Sequence, residues 1–376
     1  MCVDGSIGKN CTQLVNRANR AMERNPASPL LSALTSCSLA DPGEDFQSPY
    51  SRISEGEKER EIQSSLHSSG GSTVTNPTVS NSENDSVDTG KSADEGDFDD
   101  GFSPDYVDDI ISTLLKTECK YLVSPDNLLK VQSEINHFMR GILVDWMIEV
   151  ADHFKLAAQT LHLSVNYVDR YLSAFPIKRP SLQLVGITCI FIASKYEENH
   201  HRHVEDFVNI ADRLYKTEEV FRMELKILVG LEFSLTAVTA FDFIQRLTSL
   251  CDMDIEAEQL SLYLAEIALQ EVSFIMYRPS NIATSAVILA LHTTGGAVSS
   301  VLLRRIFTDW GIFEDEIQAC LIEMHRAHLR SHSPSRTLHV SYNKFSSPNL
   351  GGVSLLVPQT AAPELSELLQ THQVSG

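Results

Sequence analysis

HFMRGILVDWMIEV, at residues 137–150, has the spacing of an α-helix that is apolar on more than one side. Val144 and Ile148 lie on a second side, away from the main stripe. A helix of this kind is either central in a bundle or lines an exposed groove, and the pattern leaves both alternatives open. The main stripe consists of Met139, Ile142, Leu143, Trp146, Met147 and Val150.

Two segments farther along the chain begin alike. Arg179-Pro180-Ser181 opens LQLVGITCIFIASK, and Arg278-Pro279-Ser280 opens NIATSAVILALHTT, 278 − 179 = 99 residues later. Both continue into helices of small and aliphatic residues, which allow close approach on all sides, so each is predicted to be the hub of its own bundle. Together with the related helices at 218–228 and 315–324, they predict a repeat of about 100 residues with about five helices per copy.

The sequence before this region has a different character. Residues 1–102 are rich in Ser, Asn, Asp, Glu and Gly, and are predicted to be a disordered regulatory tail because they have little apolar surface to bury. At Ser103-Pro104 the pattern becomes helical, with Ser103 as N-cap and Pro104 in the first turn; the same dipeptide is also a candidate proline-directed phosphorylation site. The stripe that follows is Val107, Ile110, Ile111, Leu114 and Leu115.

Composition excludes several classes of protein. The chain has 376 residues and a net charge of −20, which argues against a duplex-binding surface or a polybasic membrane anchor. No apolar run reaches the roughly 18 residues of a membrane span, and no secretory signal is predicted. The seven cysteines include no CxxC pair, so a zinc ribbon is not expected and a reducing compartment is favoured. Phosphate-loop, GxSxG, HExxH and kinase motifs are also absent from the sequence, so no enzyme is predicted.

The 137–150 stretch closely resembles the helix that opens the cyclin box of cell-cycle cyclins. The resemblance continues through LHLSVNYVDRYL (161–172), SLQLVGITCIFIASKYEE (181–198) and VFRMELKIL (220–228). DYVDDIISTLLKTE (105–118) resembles the N-terminal helix of A- and B-type cyclins, and the tail at 342–358 looks like the C-terminus of A-type cyclins. The resemblance covers residues 104–358 and favours the A-type over the B-type.

This resemblance implies an all-α fold with two tandem five-helix cyclin folds, an extra N-terminal helix and a disordered N-terminal tail. It implies a non-enzymatic regulatory subunit that needs no cofactor, binds and activates a cyclin-dependent kinase catalytic subunit, and acts in S phase and G2/M. It also implies a nuclear location with a cytoplasmic pool. The predicted segments are 1–102 (tail), 103–136 (helix and linker), 137–235 (first cyclin box), 236–330 (second cyclin fold) and 331–376 (C-terminal tail).

The resemblance also implies site residues. Kinase-binding positions are Lys195, Glu224, Tyr196, Glu197, Glu198, Phe233 and Leu235. The alternatives are that Lys195 merely covers apolar surface at a helix end and that the apolar positions pack in the core.

A second implied surface is a patch that docks RxL-type motifs of substrates and inhibitors. The patch comprises Met139, Ile142, Leu143, Trp146, Glu149, Leu182, Gln183 and Asp212. The alternative is that its apolar stripe packs inward. Arg140 and Asp169 match a buried structural ion pair of the family.

Two features depart from the family pattern. His200, His201 and His203 stand where cyclins usually have a Pro pair; no second ligand cluster supports a metal site, so none is predicted. Residues 1–104 contain no RxxL or KEN degradation motif. Three alternatives stay open: a B-type mitotic cyclin, a ubiquitin-ligase substrate adaptor, and a TFIIB-like transcription factor. The acidic charge disfavours the transcription factor, because an acidic surface is not expected to contact nucleic acid directly.

Overall fold

The computed structural model of the protein describes residues 106–359 apart from 252, together with 361, 363 and 364. The predicted disordered tail and the predicted helix start at Ser103-Pro104 lie outside these residues. Every regular element in the described part of the chain is helical, which confirms the all-α prediction. Among the described residues, two α-helices precede the repeats: α1 (Val107–Thr117) and α2 (Pro125–Val131).

The first repeat has five helices. The side chain of Asn136 begins α3 by accepting a hydrogen bond from the Met139 backbone nitrogen (2.9 Å), and Lys155 ends it in the left-handed conformation. Its helices are α3 (His137–Phe154), α4 (Ala158–Ala174), α5 (Leu182–Glu197), α6 (Val204–Ile210) and α7 (Thr217–Gly230).

The second repeat also has five helices. Asp254 caps α9 by accepting from the Ala257 nitrogen (2.7 Å), and Gly295, with φ of 80°, ends α10 in a conformation that favours glycine. Helix α11 continues as a π-helical turn at Arg305–Asp309. The helices are α8 (Ala240–Cys251), α9 (Ile255–Gln270), α10 (Pro279–Thr294), α11 (Ser300–Arg304) and α12 (Glu314–Ser331); a short α13 (Val340–Phe345) follows.

The two similar segments are the hubs of separate cores, as predicted. Helix α5 is buried from Leu182 to Ser194 apart from Gln183, and α10 is buried from Ser280 to Leu291 apart from Ile282. Close approach requires small residues there: a Cβ on Gly186 of α5 would lie 2.6 Å from Leu143 Cδ1. Each hub belongs to its own apolar core, which confirms the tandem arrangement.

The N-terminal helix α1 packs against the second repeat, not the first. Val107 and Ile111 are buried in the second core. At the end of this segment, the buried Glu118 carboxylate accepts hydrogen bonds from the Ser280 backbone nitrogen and hydroxyl, both at 3.0 Å. A carboxylate at the start of α10 also complements the positive end of the helix dipole, so the N-terminal segment is tied to the second hub.

Helix α3 occupies a central position in the fold, one of the two alternatives left open by its sequence. Its buried Asp145 accepts hydrogen bonds from Gln270 Nε2 at the end of α9 (2.7 Å) and from the Val340 nitrogen (3.0 Å). The His339 nitrogen adds a bond of 3.2 Å. Burial raises the pKa of Asp145 to about 6, although the Val340 and His339 donors act to lower it. Asp145 therefore joins both repeats and the C-terminal segment.

We predict that acid destabilises this fold through two buried histidines. Burial lowers the pKa of His162, which lies near Lys344, and of His328, which lies near His332 and His325, to about 3 each from an ordinary value of 6.5. Only the unfolded chain binds these protons readily, so stability is full above pH 6.5 and decreases as the pH falls toward 3. At pH 5, the expected loss is about 2 kcal/mol per histidine.

The measurement is urea unfolding at pH 7.5 and pH 5.0. His328→Phe removes one titrating group and keeps a ring beside Tyr263, so its stability should change about 2 kcal/mol less between the two pH values. The exposed His153, replaced in the same way, is the control and should behave like the unaltered protein. Equal pH dependence in all three proteins would contradict the prediction.

Candidate functional site

Lys195 and Glu224 meet on the surface of the first repeat. Lys195 lies in the last turn of α5 and donates through Nζ to Oε1 of Glu224 in the middle of α7. The same Nζ lies 4.1 Å from the centroid of the Phe191 ring. The Lys195 side chain remains one third exposed (34%), so its ammonium group, with three donors, can still reach a partner.

Two of the predicted kinase-binding residues are exposed aromatic side chains. Tyr196 is exposed, and its hydroxyl lies 2.6 Å from Thr236 Oγ1. Phe233 is 64% exposed, and both it and Glu232 have φ of 54°, a strained backbone region for residues with a Cβ. Leu235 is half-buried, and its carbonyl accepts from the Tyr167 hydroxyl (2.8 Å). The predicted positions 195, 196 and 224 thus lie together, and 233 and 235 belong to the short segment that Tyr196 contacts at Thr236.

Helix α7 adds an apolar stripe that the sequence analysis missed. Phe221, Leu225 and Val229 are 47%, 43% and 43% exposed. Their spacing of four residues places them along one side of the helix. Phe221 contacts the Phe191 ring (centroids 6.4 Å apart), which in turn lies under Lys195. The four-residue spacing of these apolar side chains can be read in the sequence EEVFRMELKILVG, and it is the pattern that could have predicted the stripe.

The two acidic residues after Tyr196 differ in role. Glu198 turns into the fold, where Oε1 accepts from the Ala157 nitrogen (2.8 Å) and from Thr160 Oγ1 (2.6 Å) at the start of α4. Glu197 is exposed; partial desolvation raises the pKa of its carboxyl, and the neighbouring Asp242 and Glu198 raise it further. Glu198 therefore has a structural role in the free protein, whereas Glu197 faces outward.

The predicted docking patch is divided by burial. Met139, Leu143 and Leu182 are buried, and Trp146 is only 2% exposed. The indole Nε1 of Trp146 is buried with no acceptor in reach among the described residues. The accessible part of the patch is its rim: Ile142, Glu149 and Gln183 are half-buried, and Asp212 is exposed in the left-handed region with φ of 54°.

Arg140 and Asp169 form a buried, two-pronged ion pair. Nε and Nη2 of Arg140 donate to Oδ1 and Oδ2 of Asp169, each at 2.7 Å, and Nη1 donates to the Leu269 carbonyl (2.7 Å). Because Leu269 lies on α9, the pair also connects the first repeat to the second.

The His200–His203 loop carries no metal-ligand geometry in the described part of the chain, where no group of three or more His, Cys, Asp or Glu residues could hold an ion. The three histidines are exposed, while Arg202 donates to the Phe154 carbonyl (3.4 Å) and so fixes the loop to the end of α3. None of the described helices is long and apolar enough to cross a membrane.

Two five-helix repeats, each around a buried hub and joined through α3, define a tandem helical protein with an exposed Lys–Glu face. The chain belongs to the cyclin family. Residues 109–236 match the cyclin N-terminal domain, and residues 238–359 match the cyclin C-terminal domain. Members of this family are regulatory subunits of kinases and not themselves enzymes.

The similar proteins include A-type cyclins, which confirms the predicted resemblance. The chain is 37% identical over 261 residues to cyclin-A1 of Carassius auratus, covering 69% of this chain and 65% of that protein, slightly less than two thirds of it. It is 36% identical over 270 residues to cyclin-A3-2 of Oryza sativa subsp. japonica, covering 70% and 69%. The X-ray structure of a viral cyclin from herpesvirus saimiri has a similar fold (TM-score 0.50, 19% identity, covering 59% of this chain and 97% of that one).

Proposed function

We propose that this chain binds and activates a cyclin-dependent kinase through the face formed by Lys195, Glu224, Phe233 and the α7 stripe. The observation that carries the proposal is an exposed ion pair that shares helix α7 with an exposed apolar stripe and contacts it through the Phe191 ring. Contiguous exposed apolar surface marks an interaction site, and aromatic side chains are common interface anchors. The Lys195 donors suit backbone carbonyls of a partner.

In this proposal the bound kinase is activated because the face repositions its regulatory helix and activation segment. A rigid surface that selects one arrangement of a mobile element shifts its population toward that arrangement. The similarity to A-type cyclins supports action in S phase and at G2/M, in the nucleus with a cytoplasmic pool.

The test is a phosphorylation assay with the full chain mixed with each purified cell-cycle kinase catalytic subunit. Activation of at least one subunit, with a complex detectable by size-exclusion chromatography, is expected. Failure with every subunit would overturn the proposal, and co-purification with ubiquitin-ligase subunits in place of a kinase would support the adaptor alternative.

We further propose that substrates with RxL-type motifs dock on the rim of the patch around Trp146. Glu149 and Asp212 are acidic and suit the basic side chain of such a motif, although salt screens this attraction. The buried indole donor of Trp146 would gain an acceptor if a peptide carbonyl reached it.

The double variant Ile142→Ala, Gln183→Ala should reduce kcat/KM for an RxL-containing protein substrate about tenfold, because hot-spot truncations of this kind cost about 1.4 kcal/mol or more. Activity on a short peptide substrate without the motif should be unchanged. Asp152→Ala, an exposed position on the same helix, is the matched control. Equal losses on both substrates, or none on either, would count against docking at this rim.

A further inference from the structure

The C-terminal part of this acidic protein is locally basic. The chain contains 50 acidic residues, yet residues 324–363 contain no Asp or Glu. The same stretch includes Arg326, Arg330, Arg336 and Lys344. A segment of this composition attracts anions.

The loop between α12 and α13 contains Ser333-Pro334-Ser335-Arg336 in an exposed turn. Pro334 and Ser335 are exposed, and Ser333 is half-buried. The Ser335 nitrogen donates to Ser333 Oγ (3.3 Å), and the Arg336 nitrogen donates to the Ser333 carbonyl (3.0 Å). A serine followed directly by proline, with a basic residue three positions after the serine, is a pattern selected by proline-directed kinases.

A cavity of about 270 Å³ lies beside this serine. Its wall includes Arg330, Ser333, Ser335 and Arg336. The Nε of Arg336 is buried with no acceptor in reach in the described part of the chain. Its Nη1 donates to the Ser333 carbonyl at 3.4 Å, so the guanidinium already lies over the serine.

Arg336 and Arg330 differ in how many of their donors already have partners. The Arg336 guanidinium stacks 3.9 Å from the centroid of the Tyr342 ring, which fixes its plane and leaves the Nε donor unused. Arg330 forks to the Glu271 carboxylate and donates to Glu323. Glu271 also lines the cavity, so an added anion would meet two guanidinium groups and one carboxylate.

We propose that Ser333 is a phosphorylation site of a proline-directed kinase, and that this cavity receives the phosphate. The Ser333 hydroxyl oxygen attacks the γ-phosphorus of ATP, the bond to the β–γ bridging oxygen breaks, ADP leaves, and the hydroxyl proton passes to the base of the modifying kinase. The resulting phosphoserine accepts charge-assisted hydrogen bonds from Arg336 Nε and Arg330. This proposal does not depend on the kinase-binding function.

The phosphate would stabilise the position of the C-terminal segment on the first repeat. The loop leads directly to Val340, whose nitrogen donates to Asp145 on α3. A phosphoserine that binds Arg330 of α12 and Arg336 of the loop would join the end of α12 to the loop that leads to α13. Phosphorylation is therefore expected to strengthen the attachment of the C-terminal segment to the first repeat.

The first experiment phosphorylates the purified full chain with a proline-directed kinase and ATP, and maps the sites by mass spectrometry over time. Ser347-Pro348 in the same segment is the matched comparison, because Leu350 stands where Ser333 has Arg336. Ser333 should be modified about tenfold faster than Ser347, and Pro334→Ala should abolish its modification. Modification of Ser28 or Ser48 without Ser333 would show an active kinase and overturn the proposal.

The second experiment tests the receiving cavity by thermal unfolding. With the other Ser-Pro serines replaced by alanine, phosphorylation should raise Tm by about 3 °C. Arg336→Lys retains the charge needed by the kinase but not the forked donors, so the shift should shrink to about 1 °C. Thr337→Ala, at a neutral position of the same wall, should retain the full shift. No shift, or an equal shift in Arg336→Lys, would overturn the receiving role.

Discussion

Replacing Lys195 with glutamate is expected to reduce kinase activation roughly a hundredfold, the range produced when one charged partner at an interface is removed. In the unaltered protein Lys195 Nζ donates to Glu224, so the substitution places two carboxylates side by side. It also replaces donors that suit a partner's carbonyls with acceptors. The measurement is kcat/KM of the kinase complex toward a short peptide, together with the Kd of the two subunits.

The matched control is Lys178→Glu. Lys178 is an exposed lysine that precedes α5, whereas Lys195 lies in the last turn of this helix. A helix of this length spans roughly 24 Å, so the control changes net charge equally but at a distance. The control should activate normally and unfold at the temperature of the unaltered protein, since Lys178 is exposed. Equal activation by Lys195→Glu and the control would move the kinase site elsewhere.

The charge-swapped double variant Lys195→Glu, Glu224→Lys separates two explanations of such a loss. It restores an ion pair between α5 and α7 but moves the ammonium group to α7. If Lys195 acts only by holding the two helices together, the swap should restore activation. If Lys195 contacts the kinase, the double variant should stay inactive, and this is the result we expect.

The hubs could be predicted from the sequence because their chemistry is local. At 179 and at 278, Arg-Pro-Ser is followed by small and aliphatic residues. This pattern predicts a helix against which other helices pack on every side. Both α5 and α10 fit this prediction in the structure. The period of about 3.6 residues predicted most of the helices for the same reason.

The position of α3 could not be predicted from its own residues. A helix in a core and a helix along a groove can carry the same apolar stripe. The central position of α3 depends on its contacts with Gln270 and Val340, which lie 125 and 195 residues after Asp145 in the sequence. Glu198 illustrates the same limit, because its partners Ala157 and Thr160 are distant in sequence. The α7 stripe was missed for the converse reason, since no other described element covers Phe221, Leu225 and Val229.

The largest stability effect is expected for Arg140→Met. This substitution leaves the Asp169 carboxylate buried without its two donors, and removes the donor to the Leu269 carbonyl on α9. Removing one partner of a buried ion pair costs about 3–5 kcal/mol. The free energy of unfolding in urea is the measurement, with Arg304→Met as the control because Arg304 is exposed on α11.

The double variant Arg140→Met, Asp169→Leu identifies the source of this loss. If an unpaired charge is responsible, replacing both partners with apolar side chains should recover a substantial part of the lost stability, because the desolvation cost of both ions disappears. The remaining deficit then measures the unsatisfied Leu269 carbonyl, expected at about 1–3 kcal/mol. A double variant as unstable as Arg140→Met would instead show that the contact between the two repeats, and not the charge of Asp169, makes Arg140 necessary.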